Sequence, residues 1–152
     1  MADSRELYQQ TILEHNKHPR NFLELDPCSH HAEGFNPLCG DHFWVYLNVD
    51  SASGEVLSAS FKGEGCAISK ASASMMTEKI KGLNGQQLRK VFAEFQAMVK
   101  GELNIDQAEH QLGKLKIFSG IAQYPARVKC AGLAWHTMVA ALDKQTAVAT
   151  EY

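Results

Sequence analysis

The chain has 152 residues, of which 45% are hydrophobic and 21% are charged, and its formal net charge is −2. A chain of this length buries about two-thirds of the surface that it exposes when unfolded, so neither a metal nor a disulfide is needed to hold it together. The small net charge and the lack of a basic run argue against nucleic acid, or an anionic membrane surface, as a partner.

The N-terminal residues contain no apolar stretch of the signal-peptide kind. No run in the chain approaches the roughly 18 apolar residues that a membrane-spanning helix requires. We therefore expect a cytoplasmic protein that has no membrane partner. The sequence contains four cysteines, and in a reducing cytosol metal binding or thiol chemistry is a better expectation for them than two disulfides.

The first predicted element is a helix over residues 4–16. Asp3 and Glu6 form a start that resembles a capping box, and Pro19 closes the segment. A loop follows, after which residues 30–35 predict a short strand.

Two stretches with alternating apolar and polar residues, 42–49 and 55–62, predict strands that each bury one face. The polar segment 51–54 between them has turn chemistry, so the two strands should form an antiparallel hairpin. In such a hairpin the start of the first strand lies beside the end of the second. The residues expected together on one face of the second strand are Leu57, Ala59 and Phe61.

The rest of the chain predicts helices. The segments are 67–81, then a helix that opens at Asn84 and stops at Gly101, a short helix within 112–121, and a last helix that starts at Pro125 or Arg127. The apolar stripe of the second of these helices indicates core packing and not a cofactor site. We predict an α+β fold, a small antiparallel sheet of about three strands covered by helices. Residues 1–152 should form one domain with frayed ends at 1–3 and about 144–152.

One turn-like stretch sets the thiol of Cys39 two residues from the carboxylate of Asp41. Cys66 and Cys130 each stand where a loop pattern gives way to a helical one, and a helix N-terminus favours thiolate over thiol. Zinc takes four ligands in a tetrahedron and accepts both thiolate sulfur and carboxylate oxygen. We therefore predict one metal site that handles sulfur, with four ligands: Cys39, Asp41, Cys66 and Cys130.

The charge of this predicted site needs compensation, because three thiolates and a carboxylate outweigh a divalent metal. Arg127 and Lys129 are suitably placed in the sequence to supply it. A carboxylate is the hardest of the four ligands, so Asp41 or one thiolate should be displaced more readily than a ligand in a closed four-cysteine site. This favours a site capable of ligand exchange.

Four stretches together resemble a known family. They are residues 8–21 with their His-Pro-Arg-Asn ending, residues 36–41 (Asn-Pro-Leu-Cys-Gly-Asp), residues 63–76 (Gly-Glu-Gly-Cys-Ala-Ile-Ser-Lys-Ala-Ser-Ala-Ser-Met-Met) and residues 124–130 (Tyr-Pro-Ala-Arg-Val-Lys-Cys). In this order they closely resemble the SufU branch of the SufU/IscU (NifU-like) proteins of iron-sulfur cluster assembly. The resemblance covers nearly the whole chain, and such long motifs in matching order are highly specific.

The resemblance implies a zinc-dependent sulfurtransferase of the SUF system. Such a protein accepts persulfide sulfur from a pyridoxal-phosphate-dependent cysteine desulfurase of the SufS type and passes it to a downstream cluster-assembly scaffold. It implies that Cys39, Asp41, Cys66 and Cys130 are zinc ligands and that Cys39 accepts the sulfur once it is freed by ligand exchange. Arg127 would steady the freed thiolate or the persulfide.

Two other functions remain open. In the first, the chain is an IscU-like scaffold on which a transient [2Fe-2S] cluster is assembled, and Asp41 tunes its release. Scaffolds of that type usually carry a His before the last cysteine and a Leu-Pro-Pro-Val-Lys segment, whereas this chain has Lys129 and the segment 124–129 in those places. The extra helical segment 82–101 also resembles the SufU branch. In the second, the chain is a non-catalytic zinc module that only activates the desulfurase.

The remaining candidate ligands have plainer interpretations. Cys28 lies outside the motifs and is expected to be a free thiol at the surface or half-buried. His30 and His31 are expected to serve surface or packing roles. A zinc site that is purely structural and never exchanges a ligand is the plain alternative for the four predicted ligands.

Overall fold

The computed structural model describes residues 4–37, 39–144 and 147–149, and in it a sheet is covered by helices. The strands are ordered β3-β2-β1-β4, with β1, β2 and β3 antiparallel and the short β4 parallel to β1. The elements are α1 (Ser4–Lys17), β1 (His30–Asn36), β2 (Asp41–Val49), β3 (Val56–Glu64), α2 (Ala67–Ile80), α3 (Gly85–Val99), a 3-10 helix (Gly113–Gln123), α4 (Pro125–Leu142) and β4 (Ala147–Ala149). The predicted α+β class and the antiparallel strands are confirmed.

The β2–β3 hairpin forms as its alternating pattern predicts, and it pairs His42 with Glu64 at its open end. The prediction that Leu57 shares a face with Ala59 is wrong, because the pairing shifts by one residue beside Asn48. This β-bulge turns Leu57 outward, where it is 51% exposed, while Ala59 stays buried. An inserted residue reverses the alternation of faces along a strand, which a period-two pattern cannot reveal.

One face of the sheet carries the core. Phe43, Val45 and Leu47 of β2 are fully buried, with α4 packed across β1 and β2 and α2 packed against β3. The apolar stripe of α3 is core, as predicted, and the ring of its Phe95 stacks on Trp135 of α4 at 4.6 Å between ring centroids. Of the three cysteines in the predicted metal site, Cys130 alone is buried with the core, and Cys39 and Cys66 lie outside it.

Helix boundaries follow the capping signals. Asn84 and Gln87 form the predicted capping box at the start of α3, where each side chain accepts a hydrogen bond from the other residue's backbone N–H. Pro125 is the first residue of α4, a position at which its missing N–H costs no hydrogen bond. The short helix expected within 112–121 is the 3-10 helix, extended to Gln123.

The segment that follows α1, residues 18–22, connects this helix to α2 and β3 through hydrogen bonds. The Ser74 hydroxyl accepts a hydrogen bond from the backbone N–H of Arg20 (2.9 Å) and shares another with the buried His15 ring (2.6 Å). The carbonyl of Asn21 accepts from the N–H of Phe61 at 3.0 Å. Residues 21–22 therefore pair with the edge strand β3. This covers part of a strand edge whose unpaired backbone groups could otherwise hydrogen-bond to another chain.

The expectation of frayed ends falls mostly on residues outside those described, namely 1–3, 145–146 and 150–152. Within the predicted tail, however, Ala147–Ala149 form β4 beside β1. Among the described residues, no helix is both long enough and apolar enough to cross a membrane.

Candidate metal centre

The four predicted ligands come from four different places in the fold. Cys39 lies in the turn between β1 and β2, and Asp41 is the first residue of β2. Cys66 is the N-cap of α2, and Cys130 lies in the second turn of α4. The open end of the hairpin and the start of α4 thus meet at one point.

The turn that carries Cys39 is closed by backbone hydrogen bonds to one carbonyl. Asn36 accepts from the N–H of Cys39 at 3.2 Å and from that of Gly40 at 2.8 Å, and Asn36 pairs with Asp41 across the strands. Gly40 has a φ of 76°, a conformation that favours glycine. No atom lies within 4 Å of the place where a Cβ of residue 40 would stand. The turn is therefore tight and open to solvent, and Cys39 is exposed on it.

Asp41 is almost fully buried, with 1% of its surface exposed. Its Oδ1 accepts a hydrogen bond from the backbone N–H of Cys66 at 2.9 Å, and its Oδ2 lies 3.9 Å from the Cys66 Sγ. The two ends of the hairpin therefore meet, as the strand pairing predicts. The carboxylate is held by this bond with one oxygen facing a thiol.

Cys66 caps α2 through its sulfur, which accepts a hydrogen bond from the backbone N–H of Ser69 at 3.4 Å. A hydrogen bond from the Cys130 thiol lowers the pKa of Cys66 to about 5. The hydroxyl and the N–H of Ser69 also lower this pKa, whereas burial raises it. These donors favour the thiolate in the way that helix N-termini generally do. The expectation for Cys66 as a helix-terminal thiolate is therefore consistent with its surroundings.

The same expectation is wrong for Cys130. It is the sixth residue of α4 and is fully buried, so the unpaired N–H groups of the first turn lie before it. The hydrogen bond that it gives to the Cys66 thiolate, together with burial, raises the pKa of Cys130. In the absence of a metal, Cys130 is the protonated partner of Cys66.

Three of the four predicted ligands form one compact cluster, and Cys66 lies beside it, joined through Asp41. One atom each from Cys39, Asp41 and Cys130 lies within 4.8 Å of the others, and the Cys39 and Cys130 sulfurs are 3.4 Å apart. Sulfurs bound tetrahedrally to zinc at about 2.3 Å stand roughly 3.8 Å from one another. The Cys39–Cys130 separation of 3.4 Å is close to that value, and the Cys66 Sγ lies 3.9 Å from the Asp41 Oδ2. The donors therefore suit zinc in both chemistry and spacing.

Arg127 lies in the first turn of α4, one helical turn before Cys130, and its side chain is exposed at the site. The Cys66 thiolate raises the pKa of the Arg127 guanidinium, and the neighbouring Cys130 sulfur, with which Arg127 shares a hydrogen bond, raises it further. The guanidinium therefore places a permanent positive charge beside the sulfurs.

Sequence reasoning missed three residues of this site. Tyr8 of α1 was placed only in the first predicted helix; burial raises its pKa, and so does the nearby Cys66 thiolate. Ser69 bonds Cys66 as described above, and Gly65 leaves no room for a side chain between Asp41 and Ser69. The Gly-Glu-Gly-Cys-Ala-Ile-Ser motif contained the second and third of these, but Tyr8 offered only its helical spacing.

Cys28 is a half-buried free thiol, in agreement with the prediction. Its Sγ lies 3.9 Å from Nδ1 of His31, and the His30 ring bonds the Ser29 hydroxyl at 2.8 Å. Among the described residues, the group of candidate metal ligands holds Cys39, Asp41 and Cys130, and it contains neither these two histidines nor Cys28 or Cys66.

The family model described as "NifU-like N terminal domain" matches residues 7–131, which include all four predicted ligands. The chain belongs to the NifU-like N-terminal domain family. This confirms the resemblance that the motifs indicate.

Relatives of this NifU-like chain carry two different functional names. It is 37% identical over 140 residues to "Zinc-dependent sulfurtransferase SufU" of Bacillus subtilis (strain 168), covering 91% of each chain. It is 40% identical over 138 residues to "Iron-sulfur cluster assembly scaffold protein IscU" of Thermotoga maritima, covering 91% of this chain and 94% of that one. The chain is thus a SufU/IscU-type protein of iron-sulfur cluster assembly, and the names divide on what the site does.

Solved structures share the NifU-like fold. The crystal structure of a putative iron-sulfur cluster assembly scaffold protein for the SUF system from Fervidobacterium islandicum AW-1 matches with a TM-score of 0.80 and 30% identity. The match covers 92% of this chain and 99% of that one. The structural similarity therefore extends over nearly the whole of both chains.

Proposed function

We propose that the chain is a zinc-dependent sulfurtransferase that accepts persulfide sulfur from a cysteine desulfurase. The observation that supports this most directly is the unequal exposure of the three thiols. Cys39 is exposed, Cys66 is half-buried and Cys130 is buried, so a bulky donor reaches one sulfur before the others. A symmetric structural site would have no need of such an exposed ligand.

In this proposal Cys39, Asp41, Cys66 and Cys130 hold the zinc, which keeps the thiols deprotonated and, being redox-inert, does not oxidise them. The Cys39 thiolate attacks the outer sulfur of the donor persulfide. A new S–S bond forms on Cys39 while the old one breaks, and the donor cysteine leaves as a thiolate. The donor is a pyridoxal-phosphate-dependent desulfurase of the SufS type, and the next acceptor is a downstream cluster-assembly scaffold.

The face beside Cys39 is suited to receiving a partner. A shallow pocket of about 360 Å³ borders the turn at Gly40 and Asp41. On its rim Phe35 is 41% exposed, and the His42 ring, which is hydrogen-bonded to Glu33, stacks on Trp44. Exposed aromatic side chains next to the reactive thiol supply apolar contact area for docking.

Metal analysis and desulfurase turnover test the proposed function together. We expect one equivalent of zinc in the purified chain and faster desulfurase turnover in its presence. Cys39→Ser should abolish that stimulation, whereas Cys28→Ser, the matched change outside the cluster, should not. Stimulation retained by Cys39→Ser would contradict the sulfurtransferase and favour a zinc module that only activates the desulfurase.

The second candidate is an IscU-like scaffold. The name of the Thermotoga maritima relative favours it, and the buried, hydrogen-bonded Asp41 is a ligand that could tune the release of a [2Fe-2S] cluster. Anaerobic purification distinguishes the two functions. Iron with acid-labile sulfide, together with little stimulation of the desulfurase, would replace the sulfurtransferase with the scaffold.

Arg127 is proposed to steady the freed Cys39 thiolate or its persulfide. Arg127→Ala should therefore slow sulfur transfer by about tenfold, a loss typical of one charge-assisted contact, while zinc content stays near normal. Arg89→Ala is the matched control, because Arg89 pairs with Asp143 at the far end of α4. Equal transfer rates for the two variants would remove Arg127 from the mechanism.

A further inference from the structure

The sulfurs of Cys39 and Cys130 lie close together, and the proposed acceptance of sulfur by Cys39 does not require this proximity. The Cys39 and Cys130 sulfurs are 3.4 Å apart. That is the distance at which a nucleophile and its target are poised to react. One sulfur is exposed on a turn and the other is buried in a helix.

We propose that Cys130 is a resolving thiol, which discharges the persulfide on Cys39 as sulfide. The Cys130 sulfur attacks the inner sulfur of the persulfide, so that Cys39–S–SH and Cys130–SH become a Cys39–S–S–Cys130 disulfide and hydrogen sulfide. One S–S bond breaks and one forms. The outer sulfur is reduced, the two cysteines are oxidised, and both thiol hydrogens leave with the sulfide. The inference rests on the proposed function, because it begins with a persulfide on Cys39.

The geometry favours attack on the inner sulfur. Displacement at sulfur needs the attacking atom and the leaving atom on opposite sides of the target. Because Cys39 faces solvent and Cys130 lies beneath it, the outer sulfur can point to solvent, opposite Cys130. Attack on the outer sulfur would instead move that atom onto Cys130. That route would need the outer sulfur to lie between the Cys39 and Cys130 sulfurs, and their 3.4 Å separation is too short to hold a third sulfur in line.

The other two thiols are less suited to this role. Cys66 is engaged as the cap of α2 and faces Asp41, whose carboxylate lies 3.9 Å from its sulfur. Cys28 contacts His31 and does not belong to the cluster. The turn at Gly40 has open space around it, so the Cys39 sulfur can close the remaining distance to the roughly 2.05 Å of a disulfide.

The reaction has two consequences for the site. Because both sulfurs belong to the proposed ligand set, discharge occurs when the metal no longer holds Cys130. The disulfide must then be reduced before another sulfur is accepted, which calls for a dithiol or other thiol reductant as the next reactant. The chain would thus deliver free sulfide in addition to a persulfide.

The test separates acceptance from discharge. In a Cys28→Ser background, each remaining cysteine falls in its own tryptic peptide: Cys39 in 21–62, Cys66 in 63–70 and Cys130 in 130–144. The full chain is loaded by a desulfurase given one equivalent of L-cysteine, which becomes alanine and leaves no thiol reductant. Part of the sample is blocked and digested without reduction, and a chelator is added to the rest. Sulfide and disulfides are then measured.

Before the chelator, peptide 21–62 should carry one added sulfur; its absence contradicts the proposed function itself. After the chelator, sulfide should appear one for one with a disulfide that joins 21–62 to 130–144. In Cys130→Ser, release should slow by at least about 100-fold as the neighbouring thiol is lost. If the Cys130→Ser variant does not accept sulfur at all, the peptide map of the chain that retains Cys130 still shows whether the Cys39–Cys130 disulfide forms.

Three outcomes would overturn the inference and leave the proposed function standing. They are a persulfide on Cys39 that survives the chelator, a disulfide that joins 21–62 to 63–70, and transfer of the added sulfur to peptide 130–144.

Discussion

Alanine at position 65 is expected to weaken zinc binding by about 10–100-fold while the fold survives, the range found when a residue supporting a metal ligand is changed. A Cβ at Gly65 would lie 2.9 Å from Oδ1 of Asp41, 2.6 Å from Oγ of Ser69 and 2.8 Å from Cζ of Phe43. Real Cβ atoms do not approach so closely, and the buried Phe43 ring cannot yield. The groups that must move are therefore the Ser69 hydroxyl and the carboxylate of Asp41, which faces Cys66.

Competition against a zinc-binding dye measures this effect, and circular dichroism checks that helix content is unchanged. Gly120→Ala is the matched control, since no atom lies within 4 Å of the added methyl group there. If Gly65→Ala binds zinc as tightly as Gly120→Ala does, the position of the Asp41 carboxylate does not affect zinc affinity, and the prediction is wrong.

Alanine at position 34 is expected to destabilise the fold by about 1–3 kcal/mol or more, the usual penalty for overpacking a core. A Cβ at Gly34 would overlap Oγ1 of Thr137 and lie 3.3 Å from Cδ1 of Leu133. Thr137 is fully buried, and its hydroxyl donates to the Leu133 carbonyl at 2.7 Å. This is where α4 packs directly on β1, so neither element can move without disturbing the sheet.

Urea denaturation of Gly34→Ala, Thr137→Ala and the double variant measures this close packing. Because Thr137→Ala removes the overlapping hydroxyl, the double variant should be more stable than the sum of the two single changes predicts. Strict additivity would show that the clash is relieved elsewhere. Zinc content serves as a readout of whether α4 still delivers Cys130 to the cluster.

Elements whose signals lie close together in the sequence were predictable. The capping box at Asn84, Pro125 at the start of α4 and the β2–β3 alternation each depend on neighbouring residues. The hairpin then brings Cys66 back to Asp41, because antiparallel pairing returns the chain to its starting point. That part of the cluster follows from local patterns alone.

Other features depend on contacts between distant parts of the chain. The bulge that turns Leu57 outward is set by pairing with Asn48, and the strand β4 exists only beside β1. The sequence places Tyr8 in a helix, but only the packing of α1 brings it near Cys66. Local patterns carry no information on such contacts, because packing partners are chosen by shape and burial over the whole fold.

By itself the sequence determined the α+β class, the membership of the NifU-like family and the three thiols and one carboxylate proposed as ligands. Only the tertiary structure decided how those thiols differ. It placed Cys39 at the surface, Cys66 at a helix cap and Cys130 one turn inside α4. Exposure and hydrogen bonding set the reactivity of a thiol, and both are fixed by how α4 crosses the hairpin, which is a property of the packed chain.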